Sequence, residues 1–319
     1  MKFKKILLFL LCISIPLSAC SCAESANKKV AVIAKAVGSD FWKSVKNGVT
    51  AAATEYNVDA TFEGASNEED YKAQNRLIEK AVESGADAIV LSAIDRDKSA
   101  DAVNKAVRKG VKVIAIDSNV SSALVSLFIG TDNAAAGEAA ANAAINGFAR
   151  VSNINIGVLN CYKSTENCMN REEGFRKYLK TVPNAGITAT VTVDSNTESA
   201  TAGAVKLLRE HPEINVLVGF NEWMTLGIGN AIRQTGSASR VRGIGFDTNT
   251  RSVSMLETGE MDALIVQNPF AIGYLGVKKA SELISGSAGG ETTIYTPVVT
   301  VTKENLFDND IQKLVFSFD

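Results

Sequence analysis

A single histidine, His211, stands among the 319 residues. It lies in LREHPEIN, just before Pro212, where a helix should end and where a C-terminal cap is its expected role. Catalysis or metal binding built on imidazole has almost nothing to work with. The other enzyme signatures are also missing: there is no GxSxG elbow, no GxxxxGK[ST] phosphate loop, no HExxH and no GxGxxG after the first apolar run. DSNTESA (194–200) starts like a calcium loop but lacks the glycine at its sixth position and the closing glutamate. No cofactor, no metal and no covalent chemistry are expected. Cysteine is scarce, with five in the chain. Of these, Cys161 and Cys168 in CYKSTENC form either a disulfide, which an exported setting favours, or two free buried thiols; without neighbouring histidines they do not suggest zinc.

The first residues explain the exported setting. Lys2, Lys4 and Lys5 precede an apolar stretch, Ile6 to Leu17, that is too short to span a bilayer as an ordinary helix. It ends in LSAC, which resembles a bacterial lipobox with cleavage before Cys20 and a lipid on its sulfur; a plain signal peptide is the alternative. Residues 1–19 are therefore expected to be a signal peptide, and residues 20–27 a polar tether. Removing 1–19 takes three lysines and no acid from 33 basic and 35 acidic residues, leaving 30 against 35 and a net charge near −5. That balance argues against nucleic acid or an anionic membrane surface as the main partner. The membrane would be reached through the lipid alone, on the periplasmic or exterior side. Roughly 300 remaining residues exceed the usual limit for one core, so two lobes are expected.

Short apolar, β-branched runs alternate with helical segments along the rest of the chain. The runs include VAVIA (30–34), DAIVLS (87–92), VKVIAID (111–117), SLFIGTD (126–132), INIGVLN (154–160), INVLVGFN (214–221), RGIGFD (242–247) and DALIVQ (262–267). Three helices between them should stop at Gly85, Gly110 and Gly236, each a left-handed cap. Repeated βα units of this kind predict an α/β fold of doubly wound parallel sheets with helices on both faces.

Many runs end on a polar residue: Asp117, Asp132, Asn160, Asn221, Asp247 and Gln267. Singly, such residues are turn formers or helix caps. As a series in both halves they suggest two sheets presenting polar tips to a common cleft, where open α/β sheets bind ligands. GSDFWKS (38–44) adds a second signal. Phe41 and Trp42 are adjacent, about 100° apart on a helix, an arrangement that a simple buried stripe does not require. A ligand-facing pair and a core Phe41 beside a half-buried Trp42 are the two readings.

The motifs GSDFWKSVKNGV, AIDSN, IGTDNAAAG, NREEGF, GFNEWMTLG, GIGFD and IVQNPFAIG, in this order and spacing, resemble the ribose-binding-like group of type I periplasmic sugar-binding proteins. The resemblance runs from about Lys28 to about Val301. It implies two similar lobes joined by three strands, closing over a monosaccharide or similar polyol and delivering it to the permease of an ABC importer. It also implies a monomer. Phe41 and Trp42 match the pair that sandwiches the sugar ring, Asp117 an acceptor, and Arg171 a donor from the second lobe. Asn221, Asp247 and Gln267 match the remaining polar contacts, with Gln267 at a hinge crossing. The chemistry fits independently: hydroxyl rims need charged acceptors and donors, and C–H faces need flat aromatic surface. The alternative for Arg171 is a surface charge paired with Glu172 or Glu173, and for Asp247 a helix cap. Replacing Arg171 by alanine is expected to abolish binding with little loss of fold.

Ser39, Ser118 and Ser195 stand where the family places larger groups, which argues against ribose itself. The implied lobes are 28–131 with 268–296, and 132–267 with 297–319. The tail KENLFDNDIQKLVFSFD is expected as a short helix and strand near the hinge. Two other functions remain open at this point: a ligand-binding component for a chemoreceptor or histidine kinase, and a secreted glycosidase using Asp117 and Asp247 as its carboxylate pair.

Overall fold

A computed structural model describes residues 27–148, 153–161, 165–287 and 289–316. The signal segment, Cys20 and most of the tether lie outside these residues. The chain opens with β1 (Lys28–Ala34), α1 (Asp40–Glu55), β2 (Val58–Gly64), α2 (Tyr71–Glu83), β3 (Ala88–Leu91), α3 (Ala100–Arg108), β4 (Lys112–Ile116) and β5 (Leu127–Thr131). It then builds a second unit from α4 (Asn133–Ile145), β6 (Ile154–Asn160), α5 (Glu166–Leu179), β7 (Ala185–Thr192), α6 (Thr197–Glu210), β8 (Val216–Gly219), α7 (Glu222–Thr235), β9 (Arg242–Phe246), α8 (Thr250–Thr258) and β10 (Ala263–Val266). Four elements follow: α9 (Pro269–Ile284), β11 (Thr293–Thr296), β12 (Val299–Val301) and α10 (Asn309–Val315).

Two six-stranded sheets result, ordered β11-β5-β4-β3-β1-β2 and β12-β10-β9-β8-β6-β7. The orders correspond strand for strand, with β1 to β5 matching β6 to β10. Pairing is parallel in both sheets except for β12, which runs antiparallel to β10. Parallel strands covered on both faces are apolar on both sides. Thus Val30, Val32 and Ala34 enter one core of the first lobe, while Ala31 and Ile33 enter the other. The chain crosses between sheets three times, after Thr131, after Gln267 and after Thr296.

The helix stops follow local sterics. Gly85, Gly110 and Gly236 all have positive φ, at 75°, 92° and 61°, and His211 caps α6 through its backbone N–H to the Leu207 carbonyl. Each lobe also brings one pair of helices into backbone contact through reciprocal glycines. A Cβ at Gly48 would lie 2.0 Å from the Phe270 carbonyl, and one at Gly273 2.1 Å from that of Val45. In the second lobe the same holds for Gly137 against the Arg171 carbonyl (2.0 Å) and Gly174 against that of Ala134 (2.1 Å). These contacts seat α1 and α5, two of the helices that start at the cleft. The tail forms α10 without a strand among its described residues; Ile311 joins the second lobe's core, with Leu314, Val315 and Phe316 packed against it.

Candidate functional site

β4 and β9 each deliver an aspartate to the space between the lobes. Asp117 and Asp247 both adopt left-handed backbone, with φ of 57° and 65°, a conformation that costs a non-glycine residue energy and clusters at functional sites. Each N–H is bonded to the neighbouring strand, Asp117 to the Ile129 carbonyl and Asp247 to that of Ile265, so the backbone aims both carboxyls into the cleft.

The cleft between the lobes holds about 310 Å³ of space free of protein atoms, counting the part open to solvent. All seven residues expected from the sequence line it: Phe41, Trp42, Asp117, Arg171, Asn221, Asp247 and Gln267. Gln267 ties the hinge to the site. Its Oε1 accepts from Thr131 on another crossing strand at 2.8 Å, and its Nε2 donates to Asp247 Oδ1 at 2.8 Å. Asn221 lines the cavity while its Oδ1 caps α7 by accepting from the Met224 N–H. The series of strand-end polar residues therefore divides. Asp132 caps α4 and Asn160 bonds Glu172 and the Cys161 N–H, neither of them lining the cavity.

Arg171 is not the surface charge that NREEGF suggests. It is 1 % exposed, donates through Nε to Asn133 Oδ1 at 2.8 Å and through Nη1 to the Phe220 carbonyl at 2.7 Å, and lies over the Phe246 ring. Its neighbour Glu172 pairs instead with Arg176. Close contact of α4 with α5 buries the arginine, so its removal would open a core cavity as well as the site, contrary to the expectation of an intact fold. Among the described residues the buried Nη2 has no partner, and Arg171 lines the cleft.

Phe41 and Trp42 are 8 % and 2 % exposed and also belong to the first lobe's core. Their rings meet edge to face, 5.0 Å apart and at 88°, so they do not form one flat surface: a ligand ring can take the face of one and the edge of the other. Ser39 caps α1, accepting from the Trp42 N–H, and the Trp42 indole donates to Glu68 at 3.0 Å.

Several residues in the cleft carry no clear signal in the sequence. Lys35 forms a buried 2.9 Å ion pair with Asp117; a lysine directly after VAVIA is the one hint. Glu68, inside the acidic run NEED, reads as solvated loop, and Glu222 as an ordinary first-turn acid. Asn167 sits in the helix start after CYKST, and Trp223 beside the expected Asn221.

Ionisation follows from these partners. Burial alone would raise Asp117, but the charges of Lys35 and Arg171 and hydrogen bonds from Lys35 and Ser92 hold its carboxyl below the usual range. Asp247 has no bonded cation. Burial pushes it up to about 7, and Glu222 and Asp117 add to this against the counteracting Arg171 and Gln267. Burial also raises Glu68 and Glu222.

Hydrogen bonds between the lobes hold the cleft closed. Asn167 Nδ2 donates to Asp117 Oδ1 at 3.1 Å, Thr165 to the Ile94 carbonyl at 3.3 Å, and the Ser195 N–H to Glu69 at 2.8 Å. Glu222 accepts from the N–H groups of Asp40 (3.4 Å) and Phe41 (3.3 Å) at the N-terminus of α1, where an anion is favoured, and from Asn249 Nδ2 at 2.8 Å. A disulfide joins Cys161 at the end of β6 to Cys168 in the first turn of α5, directly beside Asn167.

Known proteins share this fold. Residues 30–288 match the family described as periplasmic binding protein domain. The D-ribose/D-allose-binding protein of Pseudomonas aeruginosa is 26% identical over 301 residues, 90% of this chain and 93% of that protein. A carbohydrate transporter solute binding protein from Agrobacterium radiobacter, solved with D-arabinose, is 27% identical with a TM-score of 0.88, covering 91% of this chain and 99% of its own. An ABC transporter solute binding protein from Agrobacterium vitis with bound D-fucose is 31% identical, with a TM-score of 0.86 and coverage of 90% and 99%.

Proposed function

The chain belongs to the periplasmic binding protein domain family, and from that premise we propose that it captures a monosaccharide or similar polyol between its lobes and delivers it to the permease of an ABC importer. The family is one of binding proteins, not of enzymes. The observation that carries the sugar reading is the cleft: Asp117 at a strand end of the first sheet, Asp247 and Gln267 at strand ends of the second, Phe41 and Trp42 beside them, and a buried Arg171 whose Nη2 has no partner among the described residues. Acceptors, donors and aromatic surface converge there as a hydroxylated ring requires. The sugars bound by the Agrobacterium relatives support the same class.

In this reading, lobes 28–131 with 268–296 and 132–267 with 297–319 swing about the three crossings. The bonds of Glu222 to α1 and of Asn167 to Asp117 form as they close. The protein acts as a monomer, has no nucleic acid partner, and is held to the membrane by a lipid on Cys20. Trp42 and Trp223 both line the cleft, so intrinsic fluorescence reports occupancy. Titration against a panel of monosaccharides and polyols should give saturable quenching or enhancement; no saturable response to any member would overturn the reading. Intact-mass measurement of membrane-extracted protein should show a diacyl mass on a chain beginning at Cys20. An unlipidated chain would remove the anchor and leave the ligand reading untouched.

A further inference from the structure

The charges facing the cleft are unequal. Four carboxyls line it, those of Glu68, Asp117, Glu222 and Asp247, against two cations, Lys35 and Arg171. Lys35 is taken by Asp117 at 2.9 Å. Glu222 is met by donors from Asp40, Phe41 and Asn249. Asp247 accepts from Gln267 on one oxygen, and Arg171 is the cation whose charge acts on it. Glu68 has one neutral donor, the Trp42 indole on Oε1; among the described residues no ion pair reaches it, and the Lys35 charge acts on it only from beyond bonding distance. Its second oxygen is left for whatever fills the cavity.

We propose that the ligand is an aminated sugar or aminated polyol whose ammonium is held by Glu68, while its hydroxyl oxygens take the free Nη2 of Arg171. This rests on the sugar reading above. Closing the lobes buries Glu222 and Asp247 and leaves Glu68 half-buried at the cleft; a ligand seated there strips the remaining water from Glu68, and a carboxylate without a cation or a full set of donors is costly to desolvate. A neutral ligand returns hydrogen bonds to these groups but no charge; an ammonium returns both. The buried Nη2, with no protein partner in the same cavity, independently calls for an acceptor on the ligand, so the occupant needs a cationic donor and oxygen acceptors in one small molecule. The indoles of Trp42 and Trp223 line the same space and favour a cation at their faces. Burial raises the titration of Glu68, Glu222 and Asp247, against Lys35 at Glu68 and Arg171 at Asp247, as expected where carboxyls outnumber cations.

Calorimetric titration of the purified protein at pH 7.5 tests this with three matched series: D-glucosamine, D-galactosamine and 1-amino-1-deoxy-D-glucitol, each beside its hydroxyl parent and its N-acetyl derivative. In the series that fits the pocket, the amine should bind about tenfold more tightly than the parent, the gain expected of a charge-assisted over a neutral hydrogen bond, and the N-acetyl form no better than the parent. Glu68→Gln keeps an oxygen to accept from the Trp42 indole and replaces the charged second oxygen by a neutral NH2 donor, so it should bring the amine-to-parent ratio close to one. A parent that binds as tightly as its amine, or a preference that survives Glu68→Gln, overturns the inference and leaves the sugar reading standing. Failure of every amine and every parent to bind overturns both.

Discussion

Asp117 and Asp247 follow corresponding strands in two lobes of the same topology, with the same left-handed backbone and the same N–H bond to the next strand. Their surroundings differ. Asp117 has Lys35 at 2.9 Å and Ser92 at 2.8 Å and is held ionised. Asp247 has Gln267 at 2.8 Å, with Arg171 turned toward Asn133 and the Phe220 carbonyl, and rises to about 7. One βα scaffold thus presents a fixed anion from one lobe and a group that titrates near neutrality from the other. Backbone geometry places a carboxyl, and the nearest cation decides its charge.

The comparison breaks most completely at Lys35. Lys35→Met leaves Asp117 buried without its ion-pair partner, and urea unfolding should show a loss of about 3–5 kcal/mol together with loss of saturable ligand binding. An unchanged midpoint would mean that the pair does not distinguish the two aspartates. Next comes the support under Asn167, which links the second lobe to Asp117. The Cys161→Ala/Cys168→Ala double variant removes a cross-link between positions seven apart, worth about 2–3 kcal/mol for a loop of that size. Ligand affinity should fall with it if the first turn of α5 holds Asn167 and Arg171 in place.

A smaller effect is expected at Asp247, and it carries a sign. Its pKa in the closed cleft lies above the unfolded value, so the folded protein binds more protons than the unfolded chain between roughly pH 4 and 7. Its stabilising contribution is complete below that window and is lost as pH rises through about 7. The groups acting on it are Arg171, Gln267, Glu222 and Asp117. Relative to Asp247→Asn, which cannot titrate, the wild type should lose up to about 2 kcal/mol across the window. This is less than the ~4 kcal/mol of the full shift, because the cleft can open and rehydrate. Parallel stability curves for the two proteins would refute it. Smallest of all, Glu222→Gln removes the charge and keeps one of the two oxygens that accept from the Asp40 and Phe41 N–H groups, costing closure about 1 kcal/mol. A few-fold weaker ligand affinity by tryptophan fluorescence checks it.

Much of the architecture is legible in the chain itself. Alternating β-branched runs and glycine-stopped helices give the order of elements, and polar residues at run ends mark the cleft edge. The same signal also covers residues with purely local work: Asp132 caps a helix and Asn160 bonds its neighbours, because a short polar side chain suits a cap and a ligand equally well. Arg171, between Asn170 and Glu172, looks exposed by composition. Only the glycine contacts of α4 with α5 make it one of the largest fully buried side chains. Lys35, Glu68 and Glu222 give no local sign of their partners, which lie in other elements or in the other lobe.

The sequence by itself determined what short-range sterics and periodicity control: the α/β order, the helix stops, the doubling of the unit and the strand ends that face inward. The tertiary structure alone decided which charges meet, which are left unpaired and how each titrates. These depend on desolvation and on contacts between residues far apart in the chain, and no local pattern encodes either.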